Sequence, residues 1–279
     1  AHQGTRLRRH DQPGQDQQNT LSFAAKNTFT GFDVADLNVF VSSNQTDLLY
    51  SYDEDWTYPE YHEDGYSSTD AYQRDRQATQ FDVRLTDKAE NWVAGVYWQN
   101  RQVDLTREYT WLSQDFMSDY SQENKAVYGE YRLNSADAIT YSAGLRIENH
   151  SLTYDDNNGV QNQSSDTMVG GHLSASKAYS DKFMVYTRLS RGFKSGGVNG
   201  EALGQLNNPE LERFFDDLNA NGSFKPELLD NIELGLRYSD PKRGLRANVV
   251  LFHSSRKDMQ IKQWFTNDRE VQEEGASPI

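Results

Sequence analysis

The chain contains no cysteine, which rules out both a disulfide scaffold and thiolate metal sites. It also lacks any run near the ~20 consecutive apolar residues that a membrane helix requires, so helical spans are excluded. Cations are scarce: 28 Lys and Arg stand against 42 Asp and Glu, a formal charge of -14. A nucleic-acid partner would need a basic face to displace counterions from phosphates, and this balance argues against one. The six histidines, His2, His10, His62, His150, His172 and His253, show no ligand spacing, and no metal site is expected of them. The start, "AHQGTRLRRHDQPGQDQQ", has no initiator methionine and no apolar signal core, and reads as a processed or excised terminus.

Aromatic rings are what the chain has in excess. Sixteen Tyr, thirteen Phe and five Trp make up 12% of a sequence that is only 35% hydrophobic. Such a chain needs many rings without continuous hydrophobicity.

Two-residue alternation supplies the reason. In "AITYSAGLRIE", Ile139, Tyr141, Ala143, Leu145 and Ile147 share one face, and Thr140, Ser142, Gly144, Arg146 and Glu148 the other. Thr79, Phe81, Val83 and Leu85 repeat the pattern, as do Val127, Gly129, Tyr131 and Leu133. So do Val169, Gly171, Leu173 and Ala175, and Ile232, Leu234, Leu236 and Tyr238. About ten strands are expected, most longer than the ~5–6 residues of ordinary sheets.

The connectors alternate too. Short turns are predicted at "TGFDVAD", "TDKAEN", "LNSADA", "AYSDK" and "SDPKRG". Long polar excursions are predicted over Asp53 to Gln73, Arg107 to Gln122, Asp155 to Ser165 and Ser195 to Lys225. A soluble sandwich has short strands and no such rhythm, whereas an outer-membrane barrel has ~10-residue alternating segments, short turns on one side and long loops on the other. The fold class is therefore all-β, an antiparallel up-and-down transmembrane β-barrel. Tyr97, Trp98, Tyr131, Tyr141, Tyr179, Phe183 and Tyr238 are placed in its interfacial girdles.

The run "RLSRGFKSGGVNG", Arg188 to Gly200, admits two readings. As a phosphate loop it has glycine and lysine in the wrong order. As a strand leaving hydrocarbon it is coherent: Phe183, Val185, Thr187, Leu189, Arg191 and Phe193 face outward, and Arg191 lies at the exit, where a cation costs little. "SASK" with "KSG" resembles a serine acylase pair, but Ser174 is predicted mid-strand, where it lines the lumen. No catalytic residues and no enzyme activity are expected.

Five stretches then carry a family resemblance. "SRGFKSGGVNG", followed by "FKPELLDNIELGLRY" and "GLRANVVLFHSSRKDMQI", resembles the later barrel strands of TonB-dependent outer-membrane receptors. "TQFDVRLTDKAENWVAGVYWQN" is similar to an earlier hairpin of that barrel, and "LNVFVSSNQTDLLYSYDEDW" to the strand and loop before it. The resemblance implies a barrel of about 22 strands, a plug inside it, and energy from the TonB protein. It implies location in the outer membrane, with lipid around the barrel and an iron-siderophore complex or another small ligand as cargo. No plug or TonB-contacting segment is recognisable, and the end "EVQEEGASPI" lacks an aromatic last strand, so the chain reads as an interior slice with two unpaired edges. Residues 1–18 are taken as a polar lead segment and 19–279 as partial barrel. A non-transporting barrel or adhesin is the alternative, and a soluble strand-rich hydrolase a third.

Ligand contacts are expected in the external loops. The candidates are Trp56, Tyr58, Tyr61, His62 and Tyr66 in the first long loop, Trp111, Phe116 and Tyr120 in the second, and Phe214 and Phe215 in "LERFFDDLNANG", where a short helix is predicted. "YDEDW", "YHEDGY" and "DDNNG" gather hard oxygen ligands, and solvated acidic loops are preferred over calcium sites as their explanation. No cofactor is expected.

Overall fold

The computed structural model describes residues 11–56, 58, 60, 65, 67–204, 209–263 and 275–278. Ten antiparallel strands form one sheet in chain order: β1 (Asp16–Phe29), β2 (Ala35–Asp53), β3 (Thr69–Asp87), β4 (Trp92–Tyr109), β5 (Phe116–Asn134), β6 (Ile139–Asp156), β7 (Gln161–Ser180), β8 (Phe183–Lys194), β11 (Glu227–Asp240) and β12 (Leu245–Lys257). Between β8 and β11 lie the two-residue strands β9 (Gly197–Val198) and β10 (Ser223–Phe224), a short helix α1 (Gly200–Gly204), a 3-10 turn (Pro209–Phe214) and helix α2 (Phe215–Ala220). The sheet is an open arc of barrel wall, with β1 and β12 at its edges.

Period two explains the wall. The apolar rows read from the sequence face outward and are bare: Leu145 is 54% exposed, Leu173 60%, and Phe81, Val127, Val169, Ile232 and Leu234 are exposed with them. Among the described residues no second protein layer covers these rows, so the face is built for lipid. The inward partners on β6, Ser142, Arg146, Glu148 and His150, are polar and more buried, as a water-facing bore requires.

The outward row also shows where hydrocarbon ends. On β6 it runs Ile139, Tyr141, Ala143, Leu145, Ile147 and then Asn149, Ser151, Thr153 and Asp155. The upper halves of the strands therefore stand above the bilayer. There one register line carries Asp47, Asp75, Asp104, Asp119 and Asp155 directly opposite one another across β2 to β6.

Two expected loops shrink for the same reason. β4 and β5 continue until only 110–115 separate them, and β6 and β7 are joined by 157–160. Above the membrane the outward side chains turn polar, so apolar alternation stops while the backbone ladder continues. Phe116 and Tyr120 consequently lie on strand β5 rather than in a loop. The first loop, 54–68, and the last, 195–226, are long as expected, and the helix predicted within 211–222 is present as α2.

The opposite rim carries the five short turns, where Glu90, Ala138 and Gly244 adopt positive φ. Asp240, 1% exposed, ties two of them together by accepting from Lys182 Nζ at 2.8 Å and from the Lys242 amide at 3.2 Å. Exposed Tyr131, Tyr141 and Tyr179 mark this interface, with the Tyr179 and Phe183 rings 5.8 Å apart. Trp98 marks the upper one, its Nε1 donating to Glu123 at 2.8 Å. Tyr97 does not join the girdle. It stands one residue out of phase and faces the bore, where the Arg146 guanidinium lies 5.0 Å from its ring.

Candidate functional site

The external ends of β2, β3 and β4 assemble a polar-aromatic site on the inner face. Register sets Tyr52 opposite Asp70 and Tyr50 opposite Tyr72, and then Asp70 opposite Tyr109 and Tyr72 opposite Arg107. Parity turns all of them inward. Asp70, 1% exposed, is the hub: it accepts two bonds from Arg107, Nε at 2.9 Å and Nη2 at 2.8 Å, and one each from the hydroxyls of Tyr52 at 3.0 Å and Tyr72 at 2.9 Å.

Rings surround the cations. Arg107 lies 5.1 Å from the Tyr72 centroid and 4.9 Å from that of Tyr109, and Arg74 sits 5.3 Å from Tyr72. Tyr50, Tyr52 and Trp56 extend the aromatic chain to the rim, with Tyr52 and Trp56 centroids 6.5 Å apart. Trp56 is 70% exposed and holds φ at 54°, an uncommon conformation for a bulky residue.

These residues stand above the lipid belt, and burial shifts their titration. Burial raises the Asp70 carboxyl, but hydrogen bonds from Arg107, Tyr72 and Tyr52 with the Arg107 charge outweigh it and hold the group below the ordinary carboxylate range. Burial, reinforced by the hydrogen bond to Asp70, pushes Tyr52 up to about 12 and raises Tyr72 further. The site is thus a neutralised ion pair framed by un-ionised phenols, with the exposed Trp56 ring and the Arg74 guanidinium at its margin.

The inner face of β5 to β7 differs, because the 195–226 segment folds onto it. Leu152, Tyr154, Val198 and Leu203 form an apolar cluster with Tyr120 and Val160 packed against it.

The predicted contacts are dispersed between these two regions. Trp56 joins the Asp70 site, and Phe116 stands opposite Arg107 on β5. Tyr120 belongs to the apolar cluster, Trp111 is exposed in the 110–115 turn, and Tyr58 is half-buried. Phe214 and Phe215 are half-buried in the last loop, Arg213 lying 4.6 Å from the Phe214 ring. Tyr61, His62 and Tyr66 lie outside the described residues. Tyr50, Tyr52, Asp70, Tyr72, Arg74, Arg107 and Tyr109 were missed by sequence reasoning. Carrying the parity of Leu85 to Thr79 back along β3 would have placed Asp70, Tyr72 and Arg74 together on the inner face.

Two other groups bear on chemistry. The carboxylates of Asp11, Asp53 and Asp55 lie within 4.8 Å of one another, a hard-oxygen cluster in which Asp53 is buried and the other two are half-buried. Ser174 and Lys177 cannot act as an acylase pair: three residues apart on β7, they point to opposite faces, and Lys177 Nζ lies over the Tyr179 ring at 5.4 Å.

Comparison with known proteins adds kinship. The family model described as TonB dependent receptor-like, beta-barrel matches residues 2–272. The pesticin receptor of Yersinia enterocolitica is 28% identical over 196 residues, 67% of this chain and 26% of that protein, and the pesticin receptor of Yersinia pestis gives the same figures. The chain thus spans about a quarter of the length of the curated relatives it matches. Among solved structures, the ferric yersiniabactin uptake receptor FyuA from Yersinia pestis aligns with TM-score 0.64 at 21% identity, over 87% of this chain and 36% of that one. The copper transporter OprC aligns with TM-score 0.67 at 17% identity, over 94% and 42%. At these identities the two structures speak for the fold.

Proposed function

Because the chain belongs to the TonB-dependent receptor β-barrel family, whose members sit in the outer membrane, we propose that it forms part of the wall of an active uptake receptor, with an iron-siderophore complex as ligand. The observation that carries this reading is the Asp70 site: seven polar-aromatic side chains converge on the inner wall at the outer mouth, where a ligand arriving from outside meets the bore. The ferric yersiniabactin uptake receptor that shares this fold is the precedent for the ligand class. In this reading a plug fills the barrel and couples it to the TonB complex, and the wall described here supplies recognition rather than energy.

The test is growth of an iron-limited strain lacking the gene, complemented with the full-length receptor and fed a panel of ferric phenolate, catecholate, hydroxamate and citrate complexes. At least one complex should restore growth, and Arg74→Ala with Tyr72→Ala should raise the concentration needed by about tenfold, the ~1.4 kcal/mol expected for removing a cation–ring pair and a stacking face together. Growth on no complex, or growth indifferent to both substitutions, would remove the ligand assignment.

A further inference from the structure

We propose that the lipid-facing wall of β4 to β11 holds one phosphorylated lipid of the outer leaflet at a fixed site, its acyl chains lying in a slanted groove and its phosphate on Arg191. Register first points to this. From β4 to β11 the outward residues directly opposite one another are Ala94, Gly129, Leu145, Gly171, Arg191 and Asp230. The next outward line toward the short-turn rim reads Trp92, Tyr131, Ala143, Leu173, Leu189 and Ile232. Small residues therefore lie beside a ridge of large ones, of which Tyr131, Leu173 and Leu189 are exposed. The two lines bound a groove of about 920 Å³, the size of a ligand pocket.

The floor of the groove is built to stay bare. A Cβ on Gly171 would meet the Gly144 carbonyl oxygen, so a larger residue there requires the backbone to shift. Gly129 is nearly as confined, its Cβ position lying 3.2 Å from the Val93 carbonyl oxygen. Ala143 in turn notches the ridge and joins the groove to a second apolar hollow of about 530 Å³ beside Leu133 and Tyr141. Two connected troughs suit a lipid with more than one chain.

The groove also has a direction. Ala94 lies near the start of β4, just above the short-turn rim, and Arg191 near the end of β8, toward the external rim. Because barrel strands tilt, a line of paired residues climbs across the membrane as it passes from strand to strand. This line ends in charge at the outer boundary of the hydrocarbon. There Arg191 donates to Asp230 from Nε at 2.6 Å and from Nη2 at 2.8 Å, which leaves the remaining N–H donors of its guanidinium for another acceptor. Arg191 is 48% exposed, and Lys257 stands on the same outward face of β12, opposite Leu228. Arg191, Lys257 and Asp230 together carry net positive charge at the upper end of an apolar groove, which matches a phosphate bearing hydrocarbon chains.

The inference needs the outer-membrane placement of this wall and is indifferent to what the receptor transports. Its test is native mass spectrometry of the full-length receptor extracted from outer membranes in mild detergent, which weighs the lipid that stays bound. Wild-type protein should retain one phosphorylated lipid, identified by its mass. Ala94→Leu with Ala143→Leu fills the groove without adding charge and should lower the retained fraction by at least about fivefold. Ala25→Leu, the same change on the outward face of β1 away from the groove, should leave it within about twofold. Arg191→Gln should also lower retention by at least about fivefold. Arg191→Gln with Asp230→Asn, which strands no carboxylate at the hydrocarbon boundary, covers the case in which the single change prevents folding. All variants are scored on protein that retains the folded heat-modifiable band. A wild-type receptor that retains no lipid would overturn the proposal. So would equal retention by the wild type and the groove-filled variant, which marks ordinary annular lipid, a retained lipid that carries no phosphate, or retention unmoved by both Arg191 changes.

Discussion

Replacing Asp70 by Asn perturbs the external mouth at its hub. The native carboxylate is 1% exposed and accepts four hydrogen bonds, two of them charged, from Arg107, Tyr52 and Tyr72. An Asn keeps one acceptor oxygen and turns an amide donor toward Arg107. Breaking a buried pair by removing one partner costs about 3–5 kcal/mol, but Arg107 is a quarter exposed and recovers some hydration, so a loss of about 2–3 kcal/mol is expected. Arg107→Met should cost a similar ~2–3 kcal/mol by leaving the carboxylate with only the two phenols. Together the changes should cost less than their sum by about 2 kcal/mol, since each removes the same bond. The assay is urea unfolding of the full-length receptor in lipid vesicles at neutral pH, with the four variants forming a cycle. The pH dependence follows from the depressed Asp70 carboxyl: stabilisation is present above the unfolded value near ~3.9 and is lost as pH falls through the lower folded value. The wild type should therefore lose its advantage over Asp70→Asn only in strong acid. A coupling below about 0.5 kcal/mol, or an advantage already gone at pH 5, would refute the reasoning.

Three further outcomes follow from the same wall. Leu145→Arg, in the lipid row, should destabilise the receptor by about 2–4 kcal/mol in vesicle unfolding, whereas Ser151→Arg, on the same face above the belt, should cost about 0–1 kcal/mol. Gly95→Ala should cost about 1–3 kcal/mol, because its Cβ would lie 2.6 Å from the Tyr128 ring that covers it, and Tyr128→Ala should relieve most of that strain. Asp104 stands opposite both Asp75 and Asp119, and burial, a hydrogen bond shared with Asp119 and these like charges raise its carboxyl. With a raised folded value its contribution is full at low pH and is lost as pH rises, so Asp104→Asn should stabilise the receptor by about 0.5–1 kcal/mol at pH 7, a gain that vanishes below about pH 4.

What the sequence made legible was the contest between two solvents. The rows headed by Ile139, Thr79, Val127 and Val169 face lipid because hydrocarbon admits nothing else there, and short turns separate from long connections because the two rims meet different compartments. Legibility failed where lipid stopped constraining the outward face. From Asn149 to Asp155 on β6 both faces are polar, so the strand reads as loop while its backbone stays paired to Gln161 and beyond. Residue type places Tyr97 in the interfacial girdle, whereas its parity, opposite to that of Val96, turns it into the bore. The Asp70 site was hidden by the same boundary: Tyr52 and Asp70 are 18 residues apart, and only the pairing of β2 with β3 brings them together.

The run from Arg188 to Gly200 shows how far local chemistry can be followed before tertiary structure takes over. Arg191 faces outward and makes two bonds with Asp230 directly across on β11, at 2.6 and 2.8 Å. The ion pair lowers the cost of carrying charge at the edge of hydrocarbon, because neither partner meets the interface alone. The sequence alone explains the cation. It explains Gly196 and Gly197 only as freedom to turn away, whereas the structure shows that the chain turns inward. A bend toward water would leave open space beside Gly200; a segment seated on the Tyr154 ring would bring a Cβ there within 2.5 Å of ring atoms, so that ring or backbone must shift. The glycine-rich end of that run is thus set by an aromatic ring 46 residues earlier in the chain, and no property of the run itself could have revealed it.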